Sequence, residues 1–416
     1  MKLKVVTLTS LLFGLFIVIA PSNLFLVLCK NCGYVNGLLS DYLIPRLYAS
    51  DFLLIALLIL NWKQVLTLLK TSGSVQLKKT AFFILVLLAF VIRQFLSPHA
   101  STALWNFFQI LVLSGVGWLL LTKQSISKGV WIWSLSIGLL LQTCLGWYQF
   151  WQQKPLLMYN FLGETNISRA VGIPQGSYPF LNLGERVIPH GTTAHPNILA
   201  GFIALYSVLL IQFLLKSKLS KKSNLLVTTI LVASWSVLFL TQSFSGAALL
   251  TTGGIVLIGY TFFRQKKWLT IALVATIFTS GFLLSYLPSK DTSISRRQYL
   301  LQTSIEYLHS NIKNVLWGTG MSNFTAVSEE FSPSKEVVRF NQPVHNVGWL
   351  FLVENGLSGF LVLAILLLHK GRNNSFTAAL VLLFPVLIWD HYLLSIQPGR
   401  ELFLITFIGL VITLDY

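Results

Sequence analysis

Charge is what this chain has least of. Only 10% of its 416 residues are Asp, Glu, Lys or Arg, where soluble domains carry about 25%. With 54% hydrophobic residues and a mean hydropathy of +0.71, it cannot cover a soluble surface, and the soluble classes are excluded. Motifs are missing too. The sequence has no Walker loop, no G-x-G-x-x-G opening a helix after a strand, no H-E-x-x-H, no G-x-S-x-G and no D-x-D. ATP-driven pumps and metal-dependent nucleotide-sugar enzymes are therefore disfavoured. No repeat of 20 to 50 residues is visible. Cysteine is limited to three. Cys29 and Cys32 form a lone C-x-x-C with no second pair and no nearby His, which argues against a zinc site. Two free thiols are expected there, with a disulfide in an oxidising outer compartment as the alternative. Cys144, in an apolar run, is read as packing.

What is present is a series of long apolar runs, each measured against the roughly 20 residues that cross a bilayer. They fall near 5–27, 44–62, 80–96, 103–122, 129–151, 196–215, 224–241, 245–263, 268–287, 346–369, 375–394 and 401–414. The expected architecture is all-α: one polytopic integral membrane domain over residues 1–416 with about twelve transmembrane helices. The first run follows Met1-Lys2-Leu3-Lys4 and is expected to be a retained anchor, because no small-x-small cleavage site ends it.

Charge asymmetry sets the orientation. With the N-terminus inside, the inner segments are residues 1–4, 63–79, 123–128, 216–223, 264–267 and 370–374. They hold 17 of the 30 basic residues and no Asp or Glu. Asp415 is the sole acid assigned to that face. This positive-inside pattern puts both termini in the cytoplasm and makes the formal +17 a topology signal, not a nucleic-acid patch. Contact with anionic membrane lipid remains compatible with it.

Two long outer loops remain, 152–195 and 288–345, the second between helices nine and ten. Long loops are where function concentrates. The first is rich in turn residues and carries Arg169, Arg186 and His190. The second opens with Ser293–Asn311, where Leu300, Leu301, Ile305 and Leu308 recur at helical spacing behind Arg296 and Arg297. An amphipathic helix on the outer membrane surface is expected there. A Gly-rich turn, Trp317-Gly318-Thr319-Gly320, follows, then a polar stretch with Glu329, Glu330, Glu336 and Arg339 that ends at His345.

His345 stands where this loop runs into an apolar helix, the position an enzyme at a lipid surface would give its base. Glu354 lies nine residues on, about 13 Å deeper in a helix. It is read first as support for a helix break with Asn355, Gly356, Ser358 and Gly359, and second as a catalytic group. Arg186, Arg297 and Arg400 stand at outer helix ends and suit phosphate oxygens, or alternatively anchor those ends by snorkelling. Thr192-Thr193-Ala194-His195-Pro196-Asn197 leads into the sixth helix, whose first amides suit an anion. His195 is equally well placed as a helix cap. Asp390-His391 is read as a local polar cap, with an orienting pair as the alternative.

Three blocks together resemble the superfamily of O-antigen ligases and Wzy-type polymerases of the bacterial envelope. They are Arg186 through His195-Pro196-Asn197-Ile198-Leu199-Ala200-Gly201, Ser293 to Leu300 with Gly318-Thr319-Gly320, and Pro343-Val344-His345-Asn346 with Glu354 and Gly356. The resemblance spans about residues 180 to 360. It implies transfer of a glycan from a polyprenyl pyrophosphate to a hydroxyl of a glycan, lipid or protein acceptor. The transfer would take place on the outer face of the cytoplasmic (inner) membrane, without metal, nucleotide or other cofactor. It further implies that His345 activates the acceptor and that Arg186 and Arg297 neutralise the pyrophosphate. His195, Asn197, Asn346, Arg296 and Arg400 are the substrate-binding candidates, with Glu354 and Gly356 as structural support. One departure stands out. The family often carries an Arg between helices seven and eight, where this chain reads Gln242-Ser243-Phe244-Ser245-Gly246. Either Arg296, Arg93 or Arg400 substitutes, or that position matters less in this branch. A transporter or flippase for a lipid-linked sugar is the main alternative, and a non-enzymatic envelope scaffold the next.

Overall fold

The structure, a computed structural model, describes residues 2–70, 88–123, 126–157, 162–167, 173–258, 292–332, 334–339, 341–369 and 374–414. The expected ninth helix, 268–287, Arg169 and the inner-face segment 264–267 lie outside them. The described chain is mostly helical. In order its helices are α1 Lys2–Ile19, α2 Ala49–Leu60, α3 Trp62–Lys70, α4 Ala100–Lys123, α5 Lys128–Gln152, α6 Pro196–Leu215, α7 Lys221–Leu240 and α8 Phe244–Ile258. Then come α9 Thr292–Ser310, α10 Ile312–Trp317, α11 Phe324–Val327, α12 Lys335–Arg339, α13 Val347–His369, α14 Asn374–Trp389, α15 Tyr392–Ser395 and α16 Gln397–Leu414. Residues 88–95 are helical as well.

Four of these helices are long and apolar enough to cross a membrane: Ala100–Thr122, Lys128–Gln152, Pro196–Leu215 and Lys221–Leu240. Shorter apolar helices, among them Leu8–Ile19, Ala49–Leu60, Phe244–Leu257 and Thr377–Trp389, pack around them. This is the build of a multi-pass membrane protein. The exterior agrees, because Leu11, Ile59, Leu225, Phe239 and Leu361 are each more than 60% exposed. So apolar an outside belongs in an apolar solvent. The most enclosed helix is α6, apolar all round and packed on α5, α7, α8 and α16.

Local signals explain the boundaries. Ser127 caps α5 by accepting from the Val130 amide at 3.3 Å, and Ser220 caps α7 through the Ser223 amide at 3.2 Å. The chain departs from all-α in three two-stranded ribbons. Phe25–Val27 (β1) pairs with Arg46–Tyr48 (β4), Tyr34–Val35 (β2) with Leu38–Leu39 (β3), and Gln175–Tyr178 (β5) with Leu183–Val187 (β6). The first ribbon shortens the first two apolar runs expected from the sequence. Pro21 ends α1, and residues 25–27 and 46–48 exchange ladder bonds instead of helical ones. Cys29 and Cys32, expected as thiols, are joined in a disulfide within the segment that follows β1. Cys144, expected to pack, is on an exposed face.

The described part of the second long loop folds as a small layer. Helix α9 matches its expected bounds but does not simply lie on a lipid surface. Leu300, Tyr307 and Leu308 are buried in a cluster with Phe324, Val344, Leu350 and Val353, while Leu301 is 40% exposed. Trp349 Nε1 donates to Ser304 Oγ at 2.6 Å, tying α9 to α13. Helix α13 breaks at Gly356, with φ 62° and ψ −171°. The break lets α10 and the turn after it approach closely: the amides of Thr319 and Gly320 donate to the carbonyls of Val353 and Glu354 at 2.9 and 2.8 Å.

Candidate functional site

The first long loop is pinned to α5 by two glutamines on one helical face. Gln149 Oε1 accepts from the amides of His190 and Gly191 at 2.9 and 2.8 Å, and Gln142 Oε1 accepts from the Thr192 amide at 3.0 Å. Thr193 Oγ1 then bonds the His190 and His195 carbonyls at 2.8 and 2.9 Å. The result is a buried, rigid approach to α6. His195 ends it as the helix cap, with Nδ1 accepting from the Asn197 amide at 3.2 Å. That bond assigns the ring proton to Nε2, which stays available.

His345 comes from the other long loop and meets His391 edge to face, with ring centroids 4.6 Å apart. His391 is held by a 2.6 Å hydrogen bond between Nδ1 and Ser395 Oγ and by the Tyr42 ring at 5.4 Å. Asp390, beside it, accepts from Ser245 Oγ at 3.1 Å and from the Asn197 side chain. Arg297 reaches in from α9, donating Nη1 to the Trp389 carbonyl at 3.0 Å. Its cation acts on His195, His345, Asp390 and His391 alike. Six segments distant in sequence, Tyr42 among them, thus converge on one cluster at the ends of α6, α8, α13 and α14.

Burial, then the neighbouring His391, Arg297 and His195, holds His345 well below the usual imidazole range. The Pro343 carbonyl lies near the ring and partly offsets this, outside hydrogen-bonding geometry, so Nδ1 has no partner among the described residues. Burial, with His195 and Arg297, lowers His391 to about 3. His195 is lowered by the protein around it and by His190 and Arg297. The residue is exposed overall, so solvent tempers that shift. Burial raises Asp390 to about 6, against the pull of Arg297 and its hydrogen bonds. At neutral pH the cluster is therefore several neutral imidazoles, one carboxylate and one guanidinium. Neutral rings can accept a proton, and Arg297 retains donors for an anion.

The other sequence candidates divide. Asn346 caps α13, its Oδ1 accepting from the Trp349 amide at 2.8 Å, and so fixes the backbone beside His345. Arg296 sits half-buried next to Arg297. Arg186 is on β6, donating to the Phe150 and Trp151 carbonyls at 3.0 and 3.4 Å and lying 5.5 Å over both rings. Among the described residues these contacts place it against the end of α5, not beside His345. Arg400 points into the bundle, donating to Leu394 O at 2.8 Å, to Gln109 Oε1 at 3.3 Å and to Asn106 Oδ1. Arg93 binds the carbonyls of Trp317 and Gly318. Glu354 supports the turn 318–324, accepting from the amides of Ser322 and Phe324.

Asp390, His391, Ser245 and Tyr42 are the members that sequence reasoning undervalued or passed over. The Asp-His pair at a helix end was the visible signal. In the segment Gln242–Gly246, Phe244 packs edge-on against Trp389 at 5.7 Å, and Ser245 reaches the cluster through Asp390. No protein-family model matches this chain, and no curated protein matches it in sequence.

Proposed function

We propose that this chain is a membrane glycosyltransferase that moves a glycan from a polyprenyl pyrophosphate to an acceptor hydroxyl, in the manner of O-antigen ligases and polymerases. The reading includes about twelve spans, both termini in the bacterial cytoplasm, and a site on the outer face of the cytoplasmic membrane. The observation that carries it is the convergence of Arg297 with His345 and His391, a fixed cation beside neutral imidazoles at helix ends.

The chemistry follows from those groups. His345 takes the proton of the acceptor hydroxyl as its oxygen attacks the anomeric carbon. The bond from that carbon to the pyrophosphate oxygen breaks, its electron pair leaving with the polyprenyl pyrophosphate. Arg297 stabilises the charge that develops there. An imidazole held so low is a weak base in the free protein. The arriving dianion corrects this, because nearby negative charge favours the protonated imidazole and lifts His345 toward neutrality as substrate binds. Asp390 holds Asn197 and Ser245, and Asn346 fixes the entry to α13.

Replacement of His345 by Ala in cells tests the proposal. Lipid-linked glycan should accumulate while the protein still inserts at normal levels, and unchanged envelope glycan would remove His345 as the base. Single repeat units left on the carrier would indicate a polymerase, and unattached polymer a ligase. One feature favours the transporter reading: Asp51, Arg400 and Glu401 are buried within helices, as in transport pathways. Movement of intact lipid-linked sugar by the purified protein would reverse the order of the two.

A further inference from the structure

Tyr42 belongs to the histidine cluster but has no part in the transfer chemistry. It comes from the connection between α1 and α2, which is anchored on both sides of it. Asn36 Nδ2 donates to Glu329 Oε2 at 2.8 Å and Ser40 Oγ to Thr325 Oγ1 at 3.1 Å, both on the second long loop. On the bundle side Leu43 is fully buried and its carbonyl accepts from Thr102 Oγ1. Between these anchors the one-turn 3₁₀ helix Asp41–Leu43 sets the Tyr42 ring edge to face with His391, at 77° and 5.4 Å between centroids. A side chain so held loses little freedom when a ligand arrives.

The ring is half-buried, and its hydroxyl makes no hydrogen bond with the described residues. The protein around it, then Asp41 and Asp390, pushes that hydroxyl above the usual phenol range, so it stays protonated and keeps a donor free. Asp41, whose side chain is 71% exposed, engages Arg46 Nη2 through Oδ1 at 3.0 Å and keeps Oδ2 as an acceptor. The charges of Asp41 and Arg46 cancel. Arg46 is the cation that weighs most on Tyr42, whereas Arg297 weighs on the histidines. This corner therefore offers a neutral ligand an aromatic ring, a donor and an acceptor, and it offers a phosphate little, since Asp41 and Asp390 flank it. A hydrocarbon chain would leave the hydroxyl and the carboxylate unpaired. A ligand with an apolar face and a rim of hydroxyls, which both donate and accept, matches all three groups: a sugar ring.

We infer that Tyr42 and Asp41 form a binding subsite for one sugar ring of a glycan substrate, next to His391. The inference rests on the glycosyl-transfer reading for the origin of that sugar, and it leaves the pyrophosphate to Arg297. The sugar stacks on the Tyr42 ring, accepts from its hydroxyl and donates one of its own hydroxyls to Asp41 Oδ2. These contacts hold the glycan without exchanging a proton with it.

The test is saturation-transfer NMR on the full-length protein in phospholipid nanodiscs, with the methyl glycosides of glucose, galactose, mannose and N-acetylglucosamine as probes. At least one should take saturation from the protein. Tyr42→Ala should weaken its binding roughly tenfold, and Tyr42→Phe, which keeps the ring, about threefold. No saturation of any probe, or equal binding by wild type and Tyr42→Ala, overturns the inference. Should Tyr42→Ala not fold, undiminished binding by Asp41→Ala, a change at an exposed side chain, overturns it. Binding needs no turnover, so this result is separate from the fate of the transfer reading. Initial rates then identify the glycan, with kcat retained in Tyr42→Ala. A KM raised about tenfold for the acceptor alone marks an acceptor sugar, and one raised for the polyprenyl-linked donor alone marks a donor sugar; both unchanged overturns the inference.

Discussion

Substituting Gly356 by Ala puts the geometry of the α13 break to the test. Gly356 has φ 62° and ψ −171°, a region in essence restricted to glycine and costing another residue about 1–3 kcal/mol. A Cβ there would also meet the backbone of α10, at 2.4 Å from Leu316 C and O and 2.5 Å from the Trp317 amide nitrogen. Backbone cannot swing aside as a side chain can, so overpacking adds about 1–3 kcal/mol. The sum is roughly 2–6 kcal/mol, unless α10 moves away and gives up the bonds from Thr319 and Gly320 to α13. Gly254 is the control, because a Cβ there meets nothing within 4 Å. It lies inside α8, where Ala is favoured over Gly by up to about 1 kcal/mol. Unfolding of both variants in detergent, followed by tryptophan fluorescence, should show Gly356→Ala strongly destabilised and Gly254→Ala neutral or slightly stabilised. A loss below about 1 kcal/mol for Gly356→Ala would refute the reasoning.

Two further outcomes are expected. Arg297→Ala should lower transfer by roughly 10²–10³, whereas Arg186→Ala, removed from His345 by its contacts with Phe150 and Trp151, should cost less than about tenfold; equal losses in initial-rate assays would return Arg186 to the site. Acid should destabilise the fold. His190 and His391 are lowered to about 4 and about 3, so below about pH 6.5 the unfolded chain binds protons that the folded one refuses, and stability falls as pH falls. Asp390, raised to about 6, works in the opposite sense, since its folded form takes up a proton first. His345 is lowered in the same sense, so the histidines outweigh the one carboxylate and leave a net loss of at least about 2 kcal/mol between pH 6.5 and 5. Denaturant titrations at the two pH values measure it, and a flat or rising stability on acidification would contradict the assignment.

The helices were legible where apolar runs ended in capping residues. Pro196–Leu215 fell on its expected bounds because Pro196 starts it. The first two runs were read too long, since an apolar stretch cannot show that Phe25–Val27 and Arg46–Tyr48 will pair as strands once Pro21 and Pro45 stop the helices. His345 and Arg297 stood out from position alone, and the structure brings them into one cluster. The partnership of His345 with His391 was not legible, because it depends on how α13 and α14 pack at their outer ends. Arg400 was misleading for a related reason. Its helix end marks it as exposed, but its azimuth, shared with Gln397 and Glu401, turns it inward toward Asn106 and Gln109.

Reconstitution of the purified protein in vesicles with a labelled glycan on polyprenyl pyrophosphate and a hydroxyl acceptor tests the central claim most directly. The account predicts release of polyprenyl pyrophosphate together with glycosylated acceptor, reduced about 10²–10⁴-fold by His345→Ala. Movement of the intact lipid-linked glycan across the bilayer without cleavage, at equal rates in wild type and His345→Ala, would contradict it.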